Sequence, residues 1–357
     1  MLKTVDKYLA QWAEPEARAA RSDSAFAHVV VVPCCNEDLS AQTPMLQARE
    51  QGALVIAVIN ARAEASPEVH KKNAALAHAL RGQASIHVVE RIADEGVGLA
   101  RKIGCDIALS LWRQGAIGSR FIHTTDADTE IPPDYFARAS AITESLLLYP
   151  FTHRLEPGFE QAMQLYEVSL HYYVRGLAWA GSPWAMHTLG SCIAVDAETY
   201  AAVRGFPRRD AAEDFYFIAK VAKIAKVKQL GGRPLQLAGR PSDRVPFGTG
   251  AAVRKLQPGK FVMYAPEVFA RLKERHQALT SFTETGVWSG GDPPRAGKDE
   301  QARSGRAREH FDAFHTLKYI HQARNQHPSL PWQEALALAP FMPAYTGDLE
   351  TYRTLLL

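Results

Sequence analysis

Residues 124–130, TTDADTE, carry the clearest chemical signal in the sequence. Residues two apart in an extended segment point to the same side, so Asp126 and Asp128 are predicted to present two carboxylates to one spot, with Glu130 as a potential third. At a separation of about 5 Å, two such charges repel by roughly 3 kcal/mol at an effective dielectric constant of 20. A divalent cation removes this penalty, and oxygen ligands favour Mg²⁺ or Mn²⁺, which keep positions open for phosphate oxygens. The alternative is an acidic turn or helix cap.

A second carboxylate candidate is Asp214, in the segment AAEDFYF (residues 211–217). It stands where a helix is predicted to begin, and the helix dipole there favours an ionised carboxylate. An ionised carboxylate that faces a cleft can act as general base for a hydroxyl nucleophile. The alternative is a plain N-cap.

Two segments have the composition of phosphate-binding elements. Residues 95–102, EGVGLARK, open a predicted helix, where Gly96 and Gly98 allow close backbone approach and Arg101 can reach a phosphate. Residues 240–250, RPSDRVPFGTG, form a loop from which Arg244 and the Gly-Thr-Gly turn are predicted to close over a diphosphate. For residues 95–102, the alternative is that the small residues only let a helix pack closely on a sheet. For residues 240–250, it is a surface loop without a role.

Aromatic residues precede Gly190: Trp179, Trp184 and His187. Aromatic faces suit a sugar or another flat apolar surface, although core packing is their commoner use. Trp184 and His187, together with Glu213, are the acceptor-side candidates.

A strand–helix alternation positions these residues. Four apolar runs begin about 25 to 35 residues apart, the length of a βαβ unit: 28–33, 53–60, 85–91 and 120–126. Helical spacing lies between them at 43–51, 67–81 and 97–112. This pattern predicts a mostly parallel α/β sheet with flanking helices, whose ligands bind beyond the carboxyl ends of the strands.

The remaining elements set the expected domain boundaries. Residues 1–24 are predicted to form an amphipathic N-terminal helical extension, with Val5, Leu9 and Trp12 on one stripe. Residues 25–260 form the predicted catalytic domain, with a helix at 158–179, a strand at 191–196, a helix at 215–226 and a polar loop at 240–260. Residues 261–357 form a helical region, with helices at 261–279 and 309–326 and a mobile loop at about 281–308.

Composition narrows the class of protein. The 357 residues include 41 basic and 38 acidic side chains, a net charge of +3, which gives no indication of nucleic-acid binding. No run of 18 apolar residues and no apolar leader is present, and the four cysteines have neither disulfide nor zinc spacing. We therefore expect a cytoplasmic protein with reduced thiols and no integral membrane segment.

In combination, the motifs resemble a family 2 glycosyltransferase of the GT-A type. The resemblance lies in VVVPCCNE (30–37), GLARKIG (98–104), TTDAD (124–128), and Gly190-Ser191 followed by Glu213-Asp214, and it covers roughly residues 25 to 250. It implies a nucleotide-diphospho-sugar donor, UDP- or GDP-linked, a hydroxyl acceptor of unknown class, and inversion by direct displacement.

The resemblance also implies residue roles. Those nearest the nucleotide are Pro33, Asn36 and Glu37, which would line its pocket, and Asp94, which would lie near the base. Arg101 would face the diphosphate, Asp126 and Asp128 would hold the metal, and Asp214 would be the base.

The sequence also departs from the family. Members of the family that polymerise sugars carry a C-terminal Gln-x-x-Arg-Trp motif and membrane helices. Neither is found in this sequence, so a polymerising synthase is not expected. Two alternatives stay open: a nucleotidyltransferase of related fold, and a non-catalytic transferase-like binding subunit.

Overall fold

A computed structural model of the protein describes residues 2–240, 248–290 and 293–357. The chain forms two compact units, residues 1–154 with 188–248 and residues 155–187 with 249–357. This division differs from the expected boundaries at 24/25 and 260/261. The N-terminal helices belong to the first unit, and residues 155–187 belong to the second, because the long helix they contain packs on C-terminal helices.

Helices and strands are numbered along the whole chain. The first unit contains α1 (Leu2–Gln11), α2 (Pro15–Ala19), β1 (His28–Cys34), α3 (Gln42–Glu50), β2 (Ala53–Ala61), α4 (Pro67–Leu80), β3 (Ile86–Ile92), α5 (Val97–Arg113), β4 (Phe121–Thr124), β5 (Leu146–Leu148), β6 (Phe151–His153), β7 (Ile193–Asp196), α7 (Ala197–Ala202), α8 (Glu213–Ile224), β8 (Val227–Gln229) and β9 (Leu235–Leu237). The second unit contains α6 (Glu160–Trp179), α9 (Thr249–Lys255), β10 (Val262–Met263), α10 (Pro266–Thr285), α11 (Glu300–His310), α12 (Ala313–Gln326), β11 (Leu330–Pro331), α13 (Trp332–Leu338) and α14 (Leu349–Leu356).

The first unit is built on a seven-stranded sheet of order β3-β2-β1-β4-β7-β5-β8. Its strands pair in parallel, except that β7 runs antiparallel to both β4 and β5. The centre is valine-rich and buried, as expected of a parallel sheet covered on both faces. This confirms the predicted mixed α/β architecture with a mostly parallel sheet and flanking helices.

Helix α5 lies close against this sheet because two of its positions are glycine. A Cβ atom at Gly104 would collide with Val31 and lie 3.1 Å from Val58. A Cβ atom at Gly98 would lie 2.5 Å from the carbonyl oxygen of Pro207, and the Gly98 N–H donates to the carbonyl of Arg209 at 3.0 Å. The glycines thus serve helix–sheet packing and also fix the chain segment that leads into α8.

The N-terminal helices are held to α5 by a buried polar cluster. The Asp106 carboxylate accepts hydrogen bonds from Tyr8 (2.6 Å), Tyr200 (2.7 Å) and Lys102 (2.7 Å), and from the backbone N–H of Glu14 (2.8 Å). We call these five residues the N-terminal polar cluster. Of the predicted stripe, Val5 is buried, whereas Leu9 and Trp12 are only partly buried; Tyr8, which was not assigned to the stripe, is buried instead.

The second unit is largely helical. One core joins α6, α10, α13 and α14 through Leu165, Phe269, Trp332 and Tyr352, and another joins α6 and α10 with α11 and α12. The loop predicted at 281–308 is shorter than expected, since α10 runs to Thr285 and α11 begins at Glu300. The predicted polar loop at 240–260 contains α9. Among the described helices, none has both the length and the apolar character needed to cross a bilayer.

Candidate functional site

Acidic side chains gather where β1 and β4 end. The two strands are parallel neighbours, so their carboxyl ends meet at one edge of the sheet. Burial raises the pKa of the Cys34 thiol, and the charges of Glu37, Asp126 and Asp128 raise it further. Because all three carboxylates act on this one sulfur, the structure brings them into the same neighbourhood.

The Asp-x-Asp segment is not extended as predicted. Strand β4 ends at Thr124, and the chain then turns, with the Thr129 N–H donating to the carbonyl of Asp126 at 3.2 Å. The two-residue periodicity of a strand therefore does not apply, and the two aspartates bind different arginines. Glu130, the potential third carboxylate, pairs with Arg154 at 2.7 Å.

Arg101 organises the first of these carboxylates. Its side chain is only 4% exposed, and it donates from Nη2 to Asp126 (2.6 Å), from Nη1 to Thr124 (2.6 Å) and from Nε to Glu213 (3.0 Å). Burial lowers the pKa of Arg101, but the neighbouring carboxylates raise it by more than burial lowers it, so the guanidinium stays charged. The buried guanidinium thus supports the carboxylates of both Asp126 and Glu213.

Gly190 connects this network to the start of α8. Its carbonyl accepts the hydroxyl of Thr124 at 3.2 Å, and its N–H donates to Oδ2 of Asp214 at 2.9 Å. A Cβ atom here would lie 2.8 Å from Nη2 of Arg101. In the sequence, Gly190 was noted only as part of a family motif and was not assigned to the site.

Asp214 lies in the first turn of α8, as predicted, but does not cap the helix. The N-cap is Ala212, whose backbone is left-handed (φ 58°). Oδ1 of Asp214 accepts the N–H of Phe215 at 2.7 Å. Burial, followed by the charge of Glu213, raises the pKa of Asp214 to about 7, against the opposing effects of the backbone hydrogen bonds and of Arg101. This is opposite to the expected effect of the helix dipole, and it gives a carboxyl whose pKa suits a general base at neutral pH.

Asp128 is held by a second arginine. Nη2 of Arg240 donates to Oε2 of Glu37 at 2.6 Å and to Oδ2 of Asp128 at 2.8 Å, and Nε donates to the same Asp128 oxygen at 3.1 Å. Glu37 is buried, whereas 39% of the Arg240 side chain is exposed. The predicted repulsion between Asp126 and Asp128 is thus relieved by protein cations. Sequence reasoning chose Arg244 from this loop, and that residue lies outside the described residues.

The carboxylates fit a divalent ion that arrives with a substrate. Among the residues that the structure describes, no group of three or more His, Cys, Asp or Glu side chains forms a metal site. However, 43% of the Asp126 side chain is exposed, and its orientation is fixed by Arg101 from behind. Mg²⁺ and Mn²⁺ accept one or two carboxylates when phosphate and water supply the other oxygens. Asp126 and Asp128 would hold such an ion, which would offset charge on a diphosphate.

The remaining nucleotide-side candidates follow the strand ends. Pro33 is buried within β1, and Asn36 follows it in a left-handed conformation (φ 56°). The Asn36 N–H donates to Oδ1 of Asn73 at 2.8 Å, and Nδ2 of Asn73 donates to the carbonyl of Asn60 at 3.2 Å. Asp94 is exposed, two residues after β3. Asn73, which sequence reasoning missed because nothing local marks it, therefore fixes the loop after β1.

Two acceptor-side candidates belong to the second unit. The indole of Trp184 is buried and donates to the carbonyl of Phe311 at 3.3 Å. The ring of His187 packs edge-on against His171 at 4.9 Å, and burial lowers its pKa to about 3. Both side chains are thus engaged within the second unit. Glu213, the third candidate, is buried beside Arg101 in the first unit.

Comparison with known proteins gives distant structural matches. No protein-family model matches the sequence, nor does any curated protein. The mannosyltransferase PcManGT from Pyrobaculum calidifontis, in complex with GDP-Man and Mn²⁺, is similar with a TM-score of 0.43 and 18% identity, over 99% of this chain and 92% of that chain. The apo structure of the bifunctional glycosyltransferase WbbM is similar with a TM-score of 0.30 and 10% identity, over 59% of this chain and 40% of that chain. Likeness at this level does not decide function, so the function proposed below rests on the geometry of the site.

Proposed function

We propose that the protein is a glycosyltransferase of the GT-A type that moves a sugar from a nucleotide-diphosphate donor to an acceptor hydroxyl. The observation that carries the proposal is the network around Arg101. It fixes an exposed carboxylate suited to the donor side, Asp126, and through Thr124 and Gly190 it reaches a carboxylate of raised pKa, Asp214. Direct displacement at an anomeric carbon needs the donor-side carboxylate and the base to be held in a fixed relative position.

Asp214 is the proposed general base. Each of its oxygens accepts one backbone N–H, which orients the carboxylate and leaves lone pairs for an acceptor hydroxyl. In the reaction, the acceptor oxygen bonds to the anomeric carbon while the bond to the diphosphate breaks. The proton passes to Asp214, and the product is inverted at that carbon.

The donor is proposed to lie along the carboxyl ends of β1 and β4. Pro33, Asn36, Glu37 and Asp94 would border the nucleotide, with Arg101 positioning Asp126. A divalent ion held by Asp126 and Asp128 would supply positive charge to the leaving diphosphate. UDP and GDP are the proposed carriers, and Glu213 is the acceptor-side candidate within the first unit.

Calorimetric titration tests the donor half. UDP, GDP, CDP and dTDP are each titrated into the protein with and without Mn²⁺, and we expect one nucleotide to bind in a metal-dependent way. If none binds, the donor site does not exist. Release of pyrophosphate from a nucleoside triphosphate and a sugar phosphate would instead support nucleotidyl transfer.

Turnover tests the base. Asp214→Asn is expected to bind the nucleotide as the wild type does and to lose at least about 100-fold in kcat, the range typical of a lost general base. Asp134→Asn, at an exposed aspartate of the first unit, is the matched control and should keep full activity. Full activity in Asp214→Asn would remove this residue from the mechanism.

A further inference from the structure

The two arginines of the site differ in how firmly they are held. Arg101 is 4% exposed and has three different side-chain partners, so it cannot turn without leaving buried groups unpaired. Arg240 is 39% exposed and binds only carboxylates in its described hydrogen bonds, those of Glu37 and Asp128. Arg240 can therefore leave the more exposed of these carboxylates, Asp128, at lower cost than Arg101 can leave its partners.

Arg240 also binds one of the oxygens that are proposed to hold a divalent ion. Oδ2 of Asp128 accepts two N–H groups from Arg240, which uses both lone pairs of that oxygen. A metal can bind this oxygen only after the guanidinium has moved away. The same guanidinium supplies the counter-charge of Glu37, a buried carboxylate that is costly to leave without a cation.

We propose that Arg240 is an exchangeable cation of the donor site. In the free protein it neutralises Glu37 and Asp128. When a divalent ion arrives with a nucleoside diphosphate, the ion takes over Asp128, and Arg240 keeps its bond to Glu37 while its other N–H groups turn to the diphosphate oxygens. An arginine fork matches phosphate geometry, so the exchange replaces one charge-assisted contact by another. The proposal rests on the proposed function for its diphosphate half only.

The metal half is tested with Mn²⁺ alone. Calorimetry compares the wild type with Arg240→Met and with the control Arg113→Met, which removes a similarly exposed arginine from Asp6 and does not contact the carboxylates of the site. We expect Arg240→Met to bind Mn²⁺ roughly tenfold more tightly, the factor for one charge-assisted hydrogen bond, and Arg113→Met to stay within about twofold of the wild type. Unchanged affinity in Arg240→Met overturns the exchange, and so does an equal gain in both variants.

The diphosphate half is tested with UDP and GDP at saturating Mn²⁺. Arg240→Met is expected to bind the preferred nucleotide roughly tenfold more weakly than the wild type, although it binds the metal more tightly. Unweakened nucleotide binding overturns this half. A wild type that binds neither nucleotide overturns the proposed function, and the Mn²⁺ titration then still decides whether Arg240 competes with the ion.

Arg240→Lys is a second variant that guards against misfolding, because Arg240→Met removes a positive charge from beside the buried Glu37. Lysine keeps the charge but loses the bidentate fork. Its Mn²⁺ affinity should fall between those of the wild type and Arg240→Met. A lysine variant that is folded by circular dichroism and binds Mn²⁺ as weakly as the wild type, yet binds nucleotide as tightly, contradicts the role of the fork.

Discussion

Replacing Glu213 by glutamine should move the pH dependence of turnover without removing the base. Glu213 accepts a hydrogen bond from Nε of Arg101 at 3.0 Å, and its charge raises the pKa of the neighbouring Asp214. Glutamine has the same shape, and its amide oxygen can still accept this hydrogen bond. The substitution therefore removes one negative charge beside Asp214 and leaves the packing largely intact.

The size of the effect follows from Coulomb's law. For an assumed separation of about 6 Å, two carboxylates repel by roughly 3 kcal/mol at an effective dielectric constant of 20, which corresponds to about two pH units. The opposite charge of Arg101, which contacts Glu213, reduces this repulsion, so we expect a shift of about one pH unit. As the proposed base, Asp214 must be ionised to accept the acceptor proton, and its pKa is about 7, so we expect activity to fall as the pH drops through 7. Without Glu213 the carboxyl ionises at lower pH, and the acid limb moves to lower pH.

The assay is release of the nucleoside diphosphate, with kcat/KM measured from pH 5 to 9 for the wild type and Glu213→Gln. Glu160→Gln is the control, since Glu160 is also in the first turn of a helix but is exposed in the second unit. Its profile should match that of the wild type. An acid limb of Glu213→Gln that stays in place or moves to higher pH would refute the assignment of this limb to Asp214.

Two further predictions concern the supports of the site. Gly190→Ala places a Cβ atom 2.8 Å from Nη2 of the buried Arg101. We expect a loss of about 1–3 kcal/mol in the free energy of unfolding, measured by urea titration, and at least a tenfold loss in kcat. Wild-type values for both would show that Arg101 moves aside without cost. Lys102→Met removes the cation that pairs with the fully buried Asp106, and we expect the free energy of unfolding, measured by urea titration, to fall by about 3–5 kcal/mol. The control Lys7→Met, at an exposed position of α1, should change this free energy little. Equal stability of the two variants would contradict the argument.

The central strands were predictable because their signal is local. Uninterrupted apolar runs mark β1 and β2, and such valine-rich runs are typical of strands in a sheet that is covered on both faces. The end of β4 was not predictable in the same way. The turn after Thr124 depends on a backbone hydrogen bond from Thr129 to Asp126, which no residue type specifies.

The candidate site was predictable in its residue types but not in its pairings. Asp126 and Asp128 were selected because residues two apart in a strand point to one spot, and Asp214 because it stands where a helix begins. Which arginine neutralises which carboxylate depends on contacts between distant parts of the chain. Arg240 and its partner Glu37 are 203 positions apart. The raised pKa of Asp214 depends likewise on burial, which only the folded chain defines.

Helix α5 connects the site to the N-terminal polar cluster. Its consecutive residues Arg101 and Lys102 bind different groups, Arg101 the carboxylates of the site and Lys102 the cluster around Asp106. Because both are fixed to one rigid helix, a displacement of the cluster moves Arg101 as well.

A second connection reaches the same place through the segment before α8. Arg208 binds the buried carboxylate of Glu14 with bonds of 2.7 and 2.8 Å, and Gly98 allows the backbone of residues 207–209 to pack directly on α5. Glu213 and Asp214 follow Arg208 by five and six residues. The first 20 residues therefore brace both the arginine that orients the donor-side carboxylate and the segment that carries the proposed base. Disruption of this brace should impair catalysis before it unfolds the sheet, whose valine-rich centre does not depend on it.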